Sequence, residues 1–267
     1  MPLNLATTAK ITWCPGCPNS QILVAWRQVI EEMASGGKIK PENVVACVGI
    51  GCHGKISDYL NVNSFTALHG RVIPVMTGIK CANPALTVIG MSGDGDSYSE
   101  GLEHLIHAAR RNSDIKIFIH DNQLFALTTG QASAMSPKGF KGKSTPRGSI
   151  EEPFDPFSVL LSAGATFAAR TAASDIAGTK KIIEAAISHK GFSFTEIIQP
   201  CITFFDTRDY FKERIFWREG NPAASADEAI HFSRKDGERI PLGVFYNTEK
   251  PTFEEQLILE VRSLNLE

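Results

Sequence analysis

Residues 86–127 read LTVIGMSGDGDSYSEGLEHLIHAARRNSDIKIFIHDNQLFAL, and this stretch decides the fold. A short apolar run at 88–91 ends in Gly93-Asp94-Gly95-Asp96, and a second, at 115–119, ends in Asp121-Asn122. Between them Leu102, Leu105, Ile106 and Ala109 fall at helical spacing, followed by Arg110 and Arg111. Apolar runs on either side of an amphipathic helix make a strand–helix–strand unit, and such a crossover implies parallel strands. Both polar clusters then lie at the carboxyl ends of their strands, the edge where open α/β sheets bind ligands. There the Asp94 carboxylate and the Asn122 amide oxygen can converge on one hard cation. Magnesium held by one or two side chains and by phosphate oxygens suits that inventory. Gly93 and Gly95 let the backbone approach a diphosphate, with a helix N-terminus facing it. A glycine turn followed by an unrelated Asp-Asn turn would give the same letters, so spacing alone leaves both readings open.

Working outward, Trp13-Cys14-Pro15-Gly16-Cys17-Pro18 opens a helix with an apolar stripe of Ile22, Leu23, Trp26, Ile30 and Met33, stopped by Gly36-Gly37. Proline is tolerated where Pro18 stands, at or just before the first turn. Residues 44–48 read as a buried strand ending in the loop Gly49-Ile50-Gly51-Cys52-His53-Gly54. Leu68-His69-Gly70-Arg71 precedes a helix over 72–83 that Pro84 breaks. Residues 128–153 lack periodicity and are rich in glycine, lysine, serine and proline; a loop this long is usually functional or mobile. Residues 157–161 read as a helix, 165–168 as a short strand, and 175–189 as an amphipathic helix with Asp175 at its start. Residues 192–198 read as a buried strand ending in Gln199-Pro200-Cys201. Past Phe205 the pattern is irregular and charged, with a last helix over 252–264. The expected fold is α/β, a doubly wound and mostly parallel sheet over residues 1–204. An irregular C-terminal extension, 205–267, is expected to pack on the same domain or on a partner subunit.

The 267-residue length and ordinary apolar content allow a sizeable core. A net charge of −2 and the lack of any basic block exclude a nucleic-acid surface. No apolar run is long enough for a membrane span, and residues 1–10 lack a signal-peptide pattern, so a soluble cytoplasmic chain is expected. The six cysteines do not suggest a secreted disulfide scaffold; in a reducing compartment clustered cysteines read as metal or cluster ligands.

Cys14 and Cys17 form a C-x-x-C pair, compatible with zinc, an Fe–S cluster or a redox dithiol. The pair lacks the preceding strand of a thioredoxin-like motif, and zinc needs a second nearby pair. Cys52 and Cys201 each stand just past the carboxyl end of a buried strand, on the edge that carries Asp94 and Asn122. Four thiolates from separated loops meeting there fit one [4Fe–4S] cluster, with zinc on the same four as the alternative. Cys47, inside a strand, and Cys81, inside a helix, read as small buried hydrophobes.

G-D-G followed by about two dozen residues and then Asn resembles the diphosphate-binding motif of thiamine-diphosphate enzymes. Further motifs occur in a recognisable order: W-C-P-G-C at 13–17, G-I-G-C at 49–52, L-H-G-R at 68–71, G-D-G-D at 93–96, D-N-Q at 121–123, T-G-Q-A-S at 129–133 and Q-P-C at 199–201. In that order the chain resembles the β subunit of 2-oxoacid:ferredoxin oxidoreductases from Trp13 to Phe204, and more weakly beyond. The resemblance implies the thiamine-diphosphate-binding type of sheet, with thiamine diphosphate, Mg2+ and one [4Fe–4S] cluster on Cys14, Cys17, Cys52 and Cys201. It puts the backbone of Ile50, Gly51, Cys52 and His53 against the thiamine ring region and His69 near the diphosphate. Gly95 and Asp96 fall on the diphosphate, Ala126 and Leu127 beside it, and the Leu124 carbonyl on the metal with Asp94 and Asn122. The implied reaction is oxidative decarboxylation of a 2-oxoacid (2-oxoglutarate, pyruvate or a relative) with coenzyme A to acyl-CoA and CO2. Electrons pass through the cluster to ferredoxin. The short chain and T-G-Q-A-S look more like the 2-oxoacid or 2-oxoglutarate branch than the pyruvate-only one.

Given a 2-oxoacid substrate, Lys55 in its glycine-flanked loop can meet the carboxylate as a point charge. Thr128, Thr129 and Gln131 offer hydrogen-bond groups at the mouth of the site. Arg71 is assigned no role. The chain holds one diphosphate-type unit and no second copy. An obligate α subunit, or a fused γ/α subunit, is therefore expected to supply the aminopyrimidine side, the acid that promotes cofactor deprotonation and the coenzyme A site. No catalytic residue is assigned to this chain. No C-x-x-C-x-x-C run is present, so further clusters are expected elsewhere. Two alternatives compete: a non-redox thiamine-diphosphate lyase or synthase subunit whose cysteines bind zinc or nothing, and a zinc-stabilised interaction module.

Overall fold

The computed structural model describes residues 3–235 and 238–263. In chain order the elements are α1 Asn19–Ser35, β1 Val44–Val48, α2 Ile56–Tyr59, β2 Asn63–Thr66, α3 Val72–Ala82, β3 Thr87–Gly93, α4 Leu102–Arg111, β4 Lys116–Asp121, β5 Leu124–Phe125 and β6 Gln131–Ala132. They continue with α5 Pro156–Ser162, β7 Phe167–Ala172, α6 Ile176–Ser188, β8 Ser193–Ile198, α7 Arg208–Arg214, β9 Ile215–Trp217, α8 Ala226–Ser233, β10 Ile240–Asn247 and α9 Phe253–Ser263. The main sheet runs β2-β1-β3-β4-β8-β7-β10-β9. From β2 to β7 every neighbouring pair is parallel, and β10 joins β7 antiparallel.

The register aligns the strand ends. Gly93 of β3 faces His120 of β4, and Asp121 faces Ile198 of β8, so the segments after these strands leave from one rim. Alternation along the strands sends side chains into two cores. On one face α1 and α6 bury Trp26 and Ile183 against Ile89, Met91 and Phe118. On the other, α3, α4, α5 and α8 cover a core that includes Met76, Leu105, Phe157, Phe194 and Phe245. Asp175 caps α6 by accepting from the Gly178 amide at 2.9 Å, as its sequence position suggests.

Several expectations shift. The strand expected over 165–168 is β7, which begins two residues later and runs to Ala172. Its alanine-rich sequence carries a weak strand signal, and Arg170 in its middle looks like a breaker until it meets Glu196 on β8 in a buried ion pair. β2 has no counterpart in the sequence reading; its four residues are all exposed, so no apolar period marks them. The C-terminal segment holds α7, β9, α8 and β10 where the sequence looks irregular. β10 contains Pro241 and Gly243, which argue against a strand, yet Leu242 and Phe245 are buried and a register irregularity absorbs the bend. The last helix is described from Phe253 to Ser263; its expected end, Leu264, lies outside the described residues.

The opposite rim is tied down by buried charge. Lys80 of α3 and Lys116 of β4 reach Asp114 at 2.7 and 2.6 Å, and Lys116 also donates to the Gly191 carbonyl at 2.9 Å. Burial alone would raise the Asp114 carboxyl, but the two ammonium groups outweigh it and hold it well below the usual carboxylate range. Asp114→Ala would take from two buried lysines the carboxylate that both contact, leaving only the more distant pull of Glu254 on Lys116, an expected loss of about 3 kcal/mol in denaturant unfolding. Because the folded value is depressed, that stabilisation is present above the unfolded value near pH 3.9. The gap between wild type and variant should therefore close as the solution is acidified below about pH 4.

Candidate functional site

The loops after β1, β3 and β4 enclose a cavity of about 50 Å³. Its wall contains Ile50, Gly51, Cys52, His53, His69, Asp94, Gly95, Asp96, Asn122, Leu124, Ala126 and Leu127. Each position that the sequence assigned to a diphosphate or its metal therefore borders one space.

Asp94 leaves the end of β3 and is 1% exposed. Its Oδ2 accepts from Ser133 Oγ at 2.5 Å, and among the described residues no Lys, Arg or His pairs with it. Burial pushes its carboxyl up to about 7, against the pull of the Ser133 hydroxyl and nearby amides. A buried carboxylate without a counter-ion is costly, and a divalent cation would supply the missing charge. Asn122, also buried, accepts from the Leu124 amide at 3.1 Å in a turn whose middle residue, Gln123, has a left-handed φ of 64°. The turn is pinned by Ser136 Oγ donating to the Gln123 carbonyl at 2.5 Å.

Past Asp94 the chain makes a single wide helical turn, Gly95–Ser99. A Cβ on Gly95 would fall 2.4 Å from the Phe125 ring, so glycine here lets that ring pack over the turn, and Gly95 borders the cavity. Asp96 uses both carboxylate oxygens internally. Oδ1 accepts from the Gly70 amide at 2.8 Å and lies 3.1 Å from His69 Nδ1; Oδ2 accepts from Ser92 Oγ at 2.6 Å and lies 3.9 Å from His53 Nε2. Its side chain thus fastens the loops that carry the two histidines, and only its backbone is left for an anion. Burial, with His69 nearby, pushes His53 down to about 3, so its imidazole is neutral.

A second cavity, of about 150 Å³, is lined by Cys14, Cys17, Cys52 and Cys201. It shares Cys52, Asn122, Ala126 and Leu127 with the first. All six cysteines are free thiols. Burial raises Cys17, opposed by the Asn19 amide; burial pushes Cys52 up to about 11, with Cys17 and Cys201 adding and Lys55 opposing. Among the described residues no three Cys, His, Asp or Glu side chains are grouped to hold one metal ion. Trp13 ties the two cysteine loops together, its Nε1 donating to the Cys52 carbonyl at 2.6 Å. Cys47 is buried in β1, where burial pushes it up to about 12, and burial also raises Cys81 in α3; neither borders the two cavities.

Lys55 lines the cysteine cavity, not the one around Asp94, and its Nζ donates to the Thr12 carbonyl at 3.3 Å. Thr129 borders neither cavity; its backbone is left-handed and its hydroxyl accepts from Lys143 Nζ at 2.7 Å. Thr128 borders the first cavity, while Gln131 spends its amide on Thr128. Arg71 donates to the Gly70 and Glu100 carbonyls. The sequence reading missed Ser133, Phe125, Asn19 and Gln199. Ser133 closes the T-G-Q-A-S motif, so its place in that string was the available signal.

No helix among the described residues is long and apolar enough to cross a membrane. Residues 49–197 match the family described as thiamine pyrophosphate enzyme, C-terminal TPP binding domain, and residues 201–259 match the C-terminal family of the pyruvate ferredoxin oxidoreductase beta subunit. Over 264 residues the chain is 38% identical to the 2-oxoacid:ferredoxin oxidoreductase subunit beta of Saccharolobus solfataricus, covering 93% of this chain and 85% of that one. It is 40% identical over 203 residues to the 2-oxoglutarate oxidoreductase subunit KorB of Mycobacterium tuberculosis, covering 76% and 53%. Among solved structures it matches a chain of the 2-oxoglutarate:ferredoxin oxidoreductase from Magnetococcus marinus with 2-oxoglutarate, coenzyme A and succinyl-CoA bound. The TM-score is 0.93 at 31% identity, over 98% of this chain and 89% of that one.

Proposed function

Because this chain belongs to the β subunits of 2-oxoacid:ferredoxin oxidoreductases, we propose that its two adjoining cavities hold thiamine diphosphate with Mg2+ and one [4Fe–4S] cluster. With a partner subunit it carries out oxidative decarboxylation of a 2-oxoacid. The acyl group goes to coenzyme A, CO2 leaves, and electrons go by way of the cluster to ferredoxin. The wall shared by the cavities carries this reading, since Cys52 borders both the thiol-lined space and the space around Asp94.

The residues fit both groups. Asp94 is a buried carboxylate in want of a cation, and Gly95 beside it borders the same cavity. Asp94, Asn122 and the Leu124 carbonyl would hold the metal. The backbone of Gly95 and Asp96 and the segment Ala126-Leu127 would border the diphosphate, with His69 beside it. Ile50, Gly51, Cys52 and His53 would face the thiamine ring, His53 as a neutral imidazole. Four free thiols lining one cavity of about 150 Å³ match the ligand count of a [4Fe–4S] cluster. Thiamine diphosphate supplies the electron sink for decarboxylation. Lys55, on the cysteine-cavity wall, offsets thiolate charge at Cys52.

The partner is an α subunit, or a γ/α fusion, that completes the cofactor site from the aminopyrimidine side. The M. marinus relative with 2-oxoglutarate and succinyl-CoA bound supports a 2-oxoacid and coenzyme A as reactants here. The test is co-purification of the two subunits without air, followed by assay of coenzyme A-dependent ferredoxin reduction with 2-oxoglutarate and pyruvate. The complex should be brown and active, and this chain alone inactive. A colourless complex that consumes a 2-oxoacid without reducing ferredoxin would replace this reading with the non-redox lyase.

A further inference from the structure

Asn19 opens α1 two residues after Cys17 and is fully buried. It does not cap the helix with its side chain. Its Oδ1 instead lies 2.9 Å from Nδ1 of His120, near the end of β4. An amide oxygen can only accept, so Nδ1 carries the proton and donates. That clamp fixes the other end of the amide. Nδ2 is buried without a well-formed hydrogen bond, its nearest acceptor being the Cys17 thiol, which it pulls down against burial, and Asn19 borders the cysteine cavity. A buried amide that keeps an unsatisfied donor loses free energy unless something in the cavity accepts from it. Gln199, 2% exposed, borders the same space, and its Nε2 lies 3.8 Å from Cys17 Sγ. His120 also reaches toward the other cavity, its ring centroid 6.0 Å from that of His53.

We infer that Asn19, aimed by His120, donates a hydrogen bond to a sulfur of the cluster and thereby raises its reduction potential. This rests on reading the cysteine cavity as a cluster site. Hydrogen bonds to cluster sulfurs are among the factors that set the potential, and a donor favours the reduced state, which is the more negative one. His120 is the positioning residue. It touches neither substrate nor cluster, and acts by holding the amide in one orientation.

The test uses the complex with its partner subunit, purified without air. Iron and acid-labile sulfide are measured first, and the midpoint potential then by redox titration followed by electron paramagnetic resonance. Asn19→Leu keeps the volume and removes the donor. With full iron content, the reduced-to-oxidised ratio at a fixed poise should fall about tenfold, or about 59 mV for a one-electron couple. An unchanged potential at full iron content overturns the inference. If Asn19→Leu fails to retain iron, His120→Leu is read instead. It leaves Asn19 in place but unclamped, and a fall of the same sign, about threefold in the ratio, is expected; no fall overturns the inference. Wild-type complex without iron or sulfide overturns the cluster reading itself, and this inference with it.

Discussion

Asp94→Ala is expected to abolish thiamine-diphosphate-dependent turnover, with at least about a 10³-fold fall in kcat for the assembled enzyme. Residues that merely orient a metal ligand cost 10–100-fold in affinity or activity when replaced, and a direct ligand should cost more. Asp94 is the buried carboxylate at the cavity floor, and burial has already pushed it up to about 7, so without a cation its charge is a burden on the fold. Two consequences separate this from simple unfolding. Freed of cofactor, the variant should melt no lower than wild type, because the alanine removes an uncompensated charge. The purified complex should also contain little thiamine diphosphate, measured after acid release. Asp94→Asn keeps one oxygen and should retain part of the binding. A complex that keeps more than about a tenth of wild-type turnover with Asp94→Ala would remove the metal from this position.

Cys201→Ser should separate the two halves of the chemistry. Cys201 follows β8, whereas Cys17 stands before α1, and yet they border one cavity and both raise Cys52 through like charge. A serine oxygen is a poor substitute for a thiolate toward iron. Iron per chain should fall from about four atoms to fewer than one, and the brown colour should vanish. Ferredoxin reduction should fall by about 10³-fold or more, on the order of the loss of an essential electron carrier. Thiamine diphosphate should still bind, since Asp94, Asn122 and Gly95 are untouched. Full iron content with Cys201→Ser would mean that the fourth ligand lies elsewhere.

Much of this site was legible because its residues are marked by chemistry that the core does not need. Gly95 tolerates no side chain against Phe125, and Asp94 is a carboxylate at the end of an apolar strand; both stand out in a string of letters. The four cysteines were legible for the same reason, as each follows a turn at a strand end or opens a helix. Asn19 was not. An asparagine at the start of a helix ordinarily reads as a cap, and only the fold shows that its amide is turned to His120, 101 residues away. Nor did proximity in sequence to the loop reveal the left-handed backbone of Thr129 or its contact with Lys143. In the fold, β10 escaped notice because proline and glycine conceal a strand whose place is set by tertiary pairing with β7.

Of the four thiols around the second cavity, Cys14 is the exposed one. An inorganic core seated there would present one corner to the medium through the 13–17 turn. A soluble electron carrier and dissolved dioxygen would both meet such a core first at that corner.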